Sequence, residues 1–319
     1  MVQHTPWRSP VFNNFHSPAD CTRESSADGI NAALSAPVQT PFPFASLVLS
    51  ANYRAEANGY ILLEAQVREG DKWSDFYKMG LLSPNIQTSF PAQETPFGRL
   101  ETDELVLAHP ASAYRFRVKS SGGAQLERLA ACGVRAPFAY DEKNAARLPA
   151  GSFEKEVTPL SQMTLKHPDR RRVCSPVSVC MILNALGVAV TLADVLRGVY
   201  DPTAGIYGNW MFNTAYAGMK GVAAYVRRFG TLAELKDFVT QDSLVAASVA
   251  YERGQLPGAA IDHTAGHLLV ISGWKDGKVL VADPAASDEK TVLRAYPARE
   301  FANAWLNRKR GAAYIVRKK

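Results

Sequence analysis

The sequence predicts two domains of different class: an N-terminal all-β sandwich, jelly-roll-like, followed by an α+β domain. Three observations carry this. The chain has 319 residues of which 47% are hydrophobic, enough for two cores rather than one. From about residue 44 to 135, short segments that alternate apolar and polar residues are separated by Gly, Pro, Asn and Asp, with no helical period of useful length. Beyond about residue 155, helical patterns come first and a run of strand patterns follows, the ordering of an α+β fold.

In chain order, residues 1–40 are rich in Ser, Pro, Ala and Asn and read as an extended segment, 41–137 as the sandwich, 138–155 as a linker and 156–319 as the second domain. Strands are expected at 60–69, 73–82, 99–108 and 113–120, the last carrying the clean alternation Tyr114-Arg115-Phe116-Arg117-Val118-Lys119. In the second domain, Val177–Leu186 is apolar except for Ser178 and Asn184. A helix apolar nearly all round is buried. Pro176 suits its first turn and Gly187 the position just past its end. Thr191 with Asp194, and Thr231 with Glu234, cap two further helices. The segments around Leu244–Glu252, His267–Trp274, Lys278–Asp283 and Ala312–Lys318 read as strands.

Several function classes are disfavoured. The net charge is +6, yet no basic stripe interleaved with aromatics marks a nucleic-acid surface. The four cysteines include no C-x-x-C pair, which argues against a disulfide scaffold and a zinc ribbon. No apolar run reaches the roughly 18 residues of a membrane span. The N-terminus lacks the pattern of a signal peptide, so the expected location is cytoplasmic, or secreted with the leader removed.

Cys174 begins the buried helix, directly after Arg170-Arg171-Arg172-Val173. Unpaired N–H groups and the macrodipole favour a thiolate there. Such a nucleophile needs a base and a group to orient the base. Of six histidines, His267 opens an apolar strand whose companion ends at Asp283-Pro284. Whether the two share a face depends on the turn. A two-residue Asp276-Gly277 turn pairs Lys275 with Lys278 and puts them on opposite faces. A three-residue turn pairs Trp274 with Lys278, sets Asp283 opposite Leu269 and leaves His267 as a diagonal neighbour on the same face, with α-carbons roughly 7–8 Å apart. The three-residue turn is therefore expected. Gln162, in a loop before the helix, is a candidate oxyanion donor. A metal site built from His263, His267, Asp283 and Cys174 is disfavoured, because Gly266 and the β-rich run after it deny His-x-x-x-His a helix. No metal and no cofactor is expected.

The segments Pro159–Met163, Val173–Gly187, Tyr200–Gly218 and Gly266–Ala286, with the stretch to Leu306, resemble the C39-like branch of the papain-like cysteine peptidases. The resemblance spans roughly 155–319, and the preceding sandwich resembles the β-domain found upstream in bacterial members. It implies a cysteine peptidase with Cys174 as nucleophile, His267 as base, Asp283 as its orienting partner and Gln162 as oxyanion donor, acting on a peptide or protein substrate. A carbohydrate or cell-wall ligand is the corresponding expectation for the sandwich. Asn209 and Trp210 are expected to touch substrate. Ser175 stands where peptidases of lantibiotic transporters usually have Gly, so their double-glycine leader specificity is not carried over. The alternatives are a silent binding protein of the same fold and an acyl transferase of transglutaminase-like type.

Overall fold

The computed structural model describes residues 9–24 and 29–319; His4 and the start of the expected extended segment lie outside them. Within the described residues of that segment, Val11–His16, Cys21–Glu24 and Asn31–Ser35 are strands of the first domain's sheet, and Pro18–Asp20 is a short helical turn. The strands are β1 (Val11–His16), β2 (Cys21–Glu24), β3 (Asn31–Ser35), β4 (Val38–Arg54), β5 (Tyr60–Glu69), β6 (Lys72–Trp73), β7 (Tyr77–Leu82), β8 (Gln93–Thr95), β9 (Gly98–Glu101), β10 (Glu104–Ser121) and β11 (Gln125–Arg135). They form one hydrogen-bonded network of 11 strands, antiparallel at every pairing. Two long strands hold it together: β10 pairs with β3, β4, β5 and β9, changing partners across irregularities between Val106 and Ala113. The segments expected at 99–108 and 113–120 are thus a hairpin and the remainder of one 18-residue strand.

The expected linker is partly built into the second domain. It holds a short helix α1 (Glu142–Ala145) and strand β12 (Phe153–Glu154). Then follow α2 (Cys174–Ala185), α3 (Leu192–Val199), α4 (Trp210–Met219), β13 (Ala223–Arg228), α5 (Leu235–Phe238), β14 (Ser243–Tyr251), β15 (Thr264–Lys275), β16 (Lys278–Ala282), β17 (Leu293–Pro297), α6 (Ala298–Ala302) and β18 (Ala312–Arg317). The sheet runs β13-β18-β14-β15-β16-β17, with β12 added beside β15. Helix α2 is buried from Ser175 to Leu183 and ends at Gly187, whose φ of 84° only glycine adopts cheaply.

The β15–β16 turn corrects the sequence expectation. Lys275 pairs with Lys278 across Asp276-Gly277, both at positive φ, the two-residue turn that Asp-Gly favours. By itself this would split His267 from Asp283. A bulge repairs the parity: Gly273 pairs with Leu280 but Ile271 with Val281, so Ser272 is the extra residue. Beyond it Val270 faces Ala282, and Asp283 comes opposite Leu269. The bulge has a partner in the former linker. Lys155 N–H donates to the Ser272 carbonyl at 2.8 Å, and Glu154 pairs with Gly273. A Cβ on Gly273 would lie 2.0 Å from the Phe153 carbonyl oxygen, so only glycine admits β12 so closely.

The two domains share their interior. Met211, Phe212 and Ala215 of α4 pack in the first domain's core, while Val48, Ala130 and Cys132 pack in the second's. The outer edge of β13 meets side chains of the first domain. Asn52 donates to Ala224 O (2.7 Å) and accepts from Ala224 N (3.1 Å). Ser50 accepts from Val226 N (2.9 Å), and Asn13 donates to Arg228 O and accepts from Arg228 N (2.9 and 2.8 Å). Three polar side chains so occupy every second residue of an edge strand, as a neighbouring strand would.

Candidate active site

Cys174 is the first residue of α2, and Val173 before it offers no capping side chain. The thiol is partly exposed, and His267 is the neighbour that lowers its pKa most. Burial alone would raise its pKa; the His267 hydrogen bond and charge outweigh burial and hold the thiol below its ordinary range. Ser178 Oγ, one turn along α2, donates to Leu268 O at 3.3 Å and ties the helix to the strand that carries the imidazole.

His267, 3% exposed, and Asp283, fully buried, meet through Nε2 and Oδ1 at 2.7 Å. That contact leaves Nδ1 as the nitrogen for Cys174. Burial opposes a charged imidazole, but the Asp283 charge and hydrogen bond overcome it, with a further contribution from the thiol, and push the pKa up to about 10. Asp283 is itself held below the usual carboxylate range: burial would raise it, and the His267 charge, Tyr296 and Ala285 N–H lower it more. Ala285 N donates to Oδ1 (2.9 Å) and Tyr296 Oη to Oδ2 (2.7 Å). Both carboxylate oxygens are therefore engaged and the imidazole plane is fixed.

Gln162 is buried, and its N–H donates to Pro284 O at 2.8 Å; Ser161 Oγ donates to Ala286 O at 2.6 Å. The loop bearing Gln162 is thus docked on the residues that follow Asp283. Its carboxamide oxygen is buried with no partner among the described residues.

Asn209 and Trp210, expected to touch substrate, are both held by contacts within the chain. Asn209, 1% exposed, caps α4 by accepting from Phe212 N (3.3 Å) and donates to Asp201 Oδ2 (3.1 Å). Trp210 N–H donates to Asp103 of the first domain, and the Arg228 guanidinium lies 5.9 Å from the Trp210 ring centre. The three arginines before Cys174 form a single helical turn, all of them exposed. Arg172 donates to Gly205 O (3.1 Å) and approaches Asp169 at 3.7 Å. It braces the loop before Cys174 and is not among the strongest influences on the thiol. Tyr296 and Ala285 are functional neighbours that the sequence reading missed.

A thiol at a helix N-terminus, an imidazole on the facing strand and a buried carboxylate behind it define the class of thiol–imidazole sites on an α+β scaffold. The chain belongs to the peptidase C39-like family. The family's model matches residues 154–313, and the model of a peptidase C39 N-terminal domain matches residues 18–130. Among solved structures, a double glycine motif protease from an AMS/PCAT transporter in complex with the leader peptide is 18% identical, covering 52% of this chain and 95% of that one at a TM-score of 0.37. A C39-like peptidase from Bacillus anthracis is 14% identical, covering 53% and 98% at a TM-score of 0.39. No curated protein matches the chain.

Proposed function

We propose that the chain is a cysteine peptidase in which Cys174, His267 and Asp283 cleave a peptide bond and Gln162 helps bind the oxyanion. The observation that carries this reading is the 2.7 Å contact between His267 Nε2 and Asp283 Oδ1, which turns Nδ1 to a thiol of lowered pKa. The thiolate attacks the scissile carbonyl carbon and the oxygen becomes an oxyanion. Its donors would be the Gln162 carboxamide and a first-turn N–H of α2. The imidazolium gives its proton to the leaving amine, which departs as the C–N bond breaks. Water, deprotonated by His267, then attacks the acyl-enzyme and releases acid and thiol. On this reading the N-terminal strands form a sandwich fused to the catalytic unit.

The test is hydrolysis of a peptide library by wild type and by Cys174→Ala, with iodoacetamide labelling at pH 7. We expect cleavage and fast labelling of Cys174 in wild type and neither in the variant. Wild-type cleavage by Cys174→Ala, or a Cys174 that alkylates no faster than a free thiol, refutes the assignment.

A further inference from the structure

We propose that the outer face of the N-terminal domain around β10 is a docking surface for an acidic polypeptide segment in extended conformation. The inference rests on side chains of the first domain and holds or falls without the peptidase reading.

Tyr114, Phe116 and Val118 of β10 point into the core, so Arg115, Arg117 and Lys119 stand in a row on the opposite face. Neighbours in that row are two residues apart along a strand, about 7 Å. On β5, Gln66 lies opposite Arg115 and Glu64 opposite Arg117, with Arg68 further along the same face and opposite Trp73 of β6. Two rings hold the guanidinium groups. Arg115 lies 4.7 Å from the Trp73 ring centre and Arg117 3.8 Å from that of Phe76. Arg68 also approaches Trp73, and Arg115 approaches Phe76, each at 5.8 Å. Stacking of this kind fixes a guanidinium plane and leaves its N–H edge for acceptors. Arg115 Nε donates to Gln66 Oε1 (2.5 Å) and Arg117 Nε to Glu64 Oε2 (2.6 Å), and the terminal nitrogens of both make no hydrogen bond among the described residues.

Glu64, 3% exposed, is already shared between Arg117 and Lys119. Lys78 of β7 lies opposite it and is exposed. Even with Asp75, beside Phe76 in the chain, counted against them, these cations outnumber the acids, so the complement of the face is a negative partner. Two observations choose its kind. Both rings are half-buried and carry guanidinium groups, so neither offers the bare aromatic platform on which bases stack. The 7 Å repeat matches carboxylates at every second position of an extended peptide, and each free guanidinium edge suits a carboxylate. The alternation of 114–119 sets the charges in line. The rings arrive from a separate stretch of the chain, which is why the sequence alone shows no basic stripe interleaved with aromatics.

The experiment is fluorescence polarisation at physiological salt, with the full chain carrying Cys174→Ala so that no probe is cut. The probe is a labelled peptide of alternating Glu and Thr. Arg115→Gln with Lys119→Gln alters the face; Arg317→Gln with Lys318→Gln removes the same charge from the exposed end of β18 and the residue after it. We expect saturable binding that the face pair weakens about 10-fold and the remote pair less than about 2-fold. Arg115→Lys, which keeps the charge and loses the planar group, should weaken it about 3-fold. Equal losses in the two pairs would show net charge alone at work and overturn the proposal, as would the absence of saturable binding. Heparin or oligothymidylate of equal charge that binds more tightly than the peptide, and is lost in the face pair, would assign the face to a polysaccharide or a nucleic acid and overturn it too. If the face pair does not fold, Lys119→Gln decides alone: a loss of about 3-fold supports the proposal, and unchanged affinity overturns it.

Discussion

Asp283→Asn keeps the shape of the group behind His267 and removes its charge. The amide oxygen still accepts from His267 and Ala285 N–H, and the amide nitrogen can donate to Tyr296 Oη in place of the bond Tyr296 now donates. In wild type the carboxylate raises the imidazole to about 10 against burial, so the thiolate–imidazolium pair persists from the lowered thiol pKa up to about pH 10. Without the charge, burial prevails and the imidazole is neutral at pH 7. A thiol beside a neutral imidazole returns towards about 8.5, where roughly 3% is thiolate at pH 7. Iodoacetamide alkylation of Cys174 at pH 7 should fall about 30-fold and recover above pH 9. The fall in kcat/KM at pH 7 should be similar, about 2 kcal/mol. His267→Ala removes the base as well and should be about 10-fold worse still. Stability follows the same charges. The raised His267 pKa stabilises the fold fully below its ordinary 6.5 and ceases to as pH climbs through about 10. The lowered Asp283 pKa stabilises above its ordinary 3.8, and this is lost as pH falls below it. Wild type should therefore exceed Asp283→Asn in urea midpoint most between about pH 4 and 6.5. Superimposable alkylation profiles for the two proteins would refute the reasoning.

Gln162→Ala should lower kcat by about 10²–10³, the cost of one oxyanion donor, with the rate of Cys174 alkylation almost unchanged; a change confined to KM would assign Gln162 to the substrate groove instead. Gly273→Ala places a methyl where the Phe153 carbonyl lies, so β12 must move and the bulge loses its brace. The urea midpoint should fall by the equivalent of about 1–3 kcal/mol, and activity should fall further than stability because His267 and Asp283 lose their alignment; activity intact in a destabilised protein would show that the bulge needs no partner.

Much of this was legible in the sequence, for local reasons. Alternation revealed Tyr60–Glu69 as a strand to the residue, and the apolar run with its Pro and Gly revealed α2. The capping signatures at Thr191 and Thr231 also correspond to helix starts. The turn at Asp276-Gly277 was misjudged because the bulge that restores parity depends on residues 153–155, more than a hundred positions away. Asn209 carries a readable local signal: an Asn directly before Trp-Met-Phe is an N-cap. Tyr296 had no local signal at all, since a tyrosine in a strand acquires its role only from what the fold brings beside it.

The side chains of Asn13, Ser50 and Asn52 along β13 bear on what happens at the rim of this sheet. Strand β13 is apolar from Ala223 to Val226 and stands at the rim of its sheet. Its main-chain groups, left open, would be a template for the same strand of another copy, and successive copies could add without closing. Short amides and a hydroxyl satisfy those groups but present no further strand edge of their own, so growth stops after one layer. A C-terminal domain cut away from its N-terminal partner would lose that seal, and its first failure in solution would be strand-to-strand assembly, ahead of any loss of its own fold.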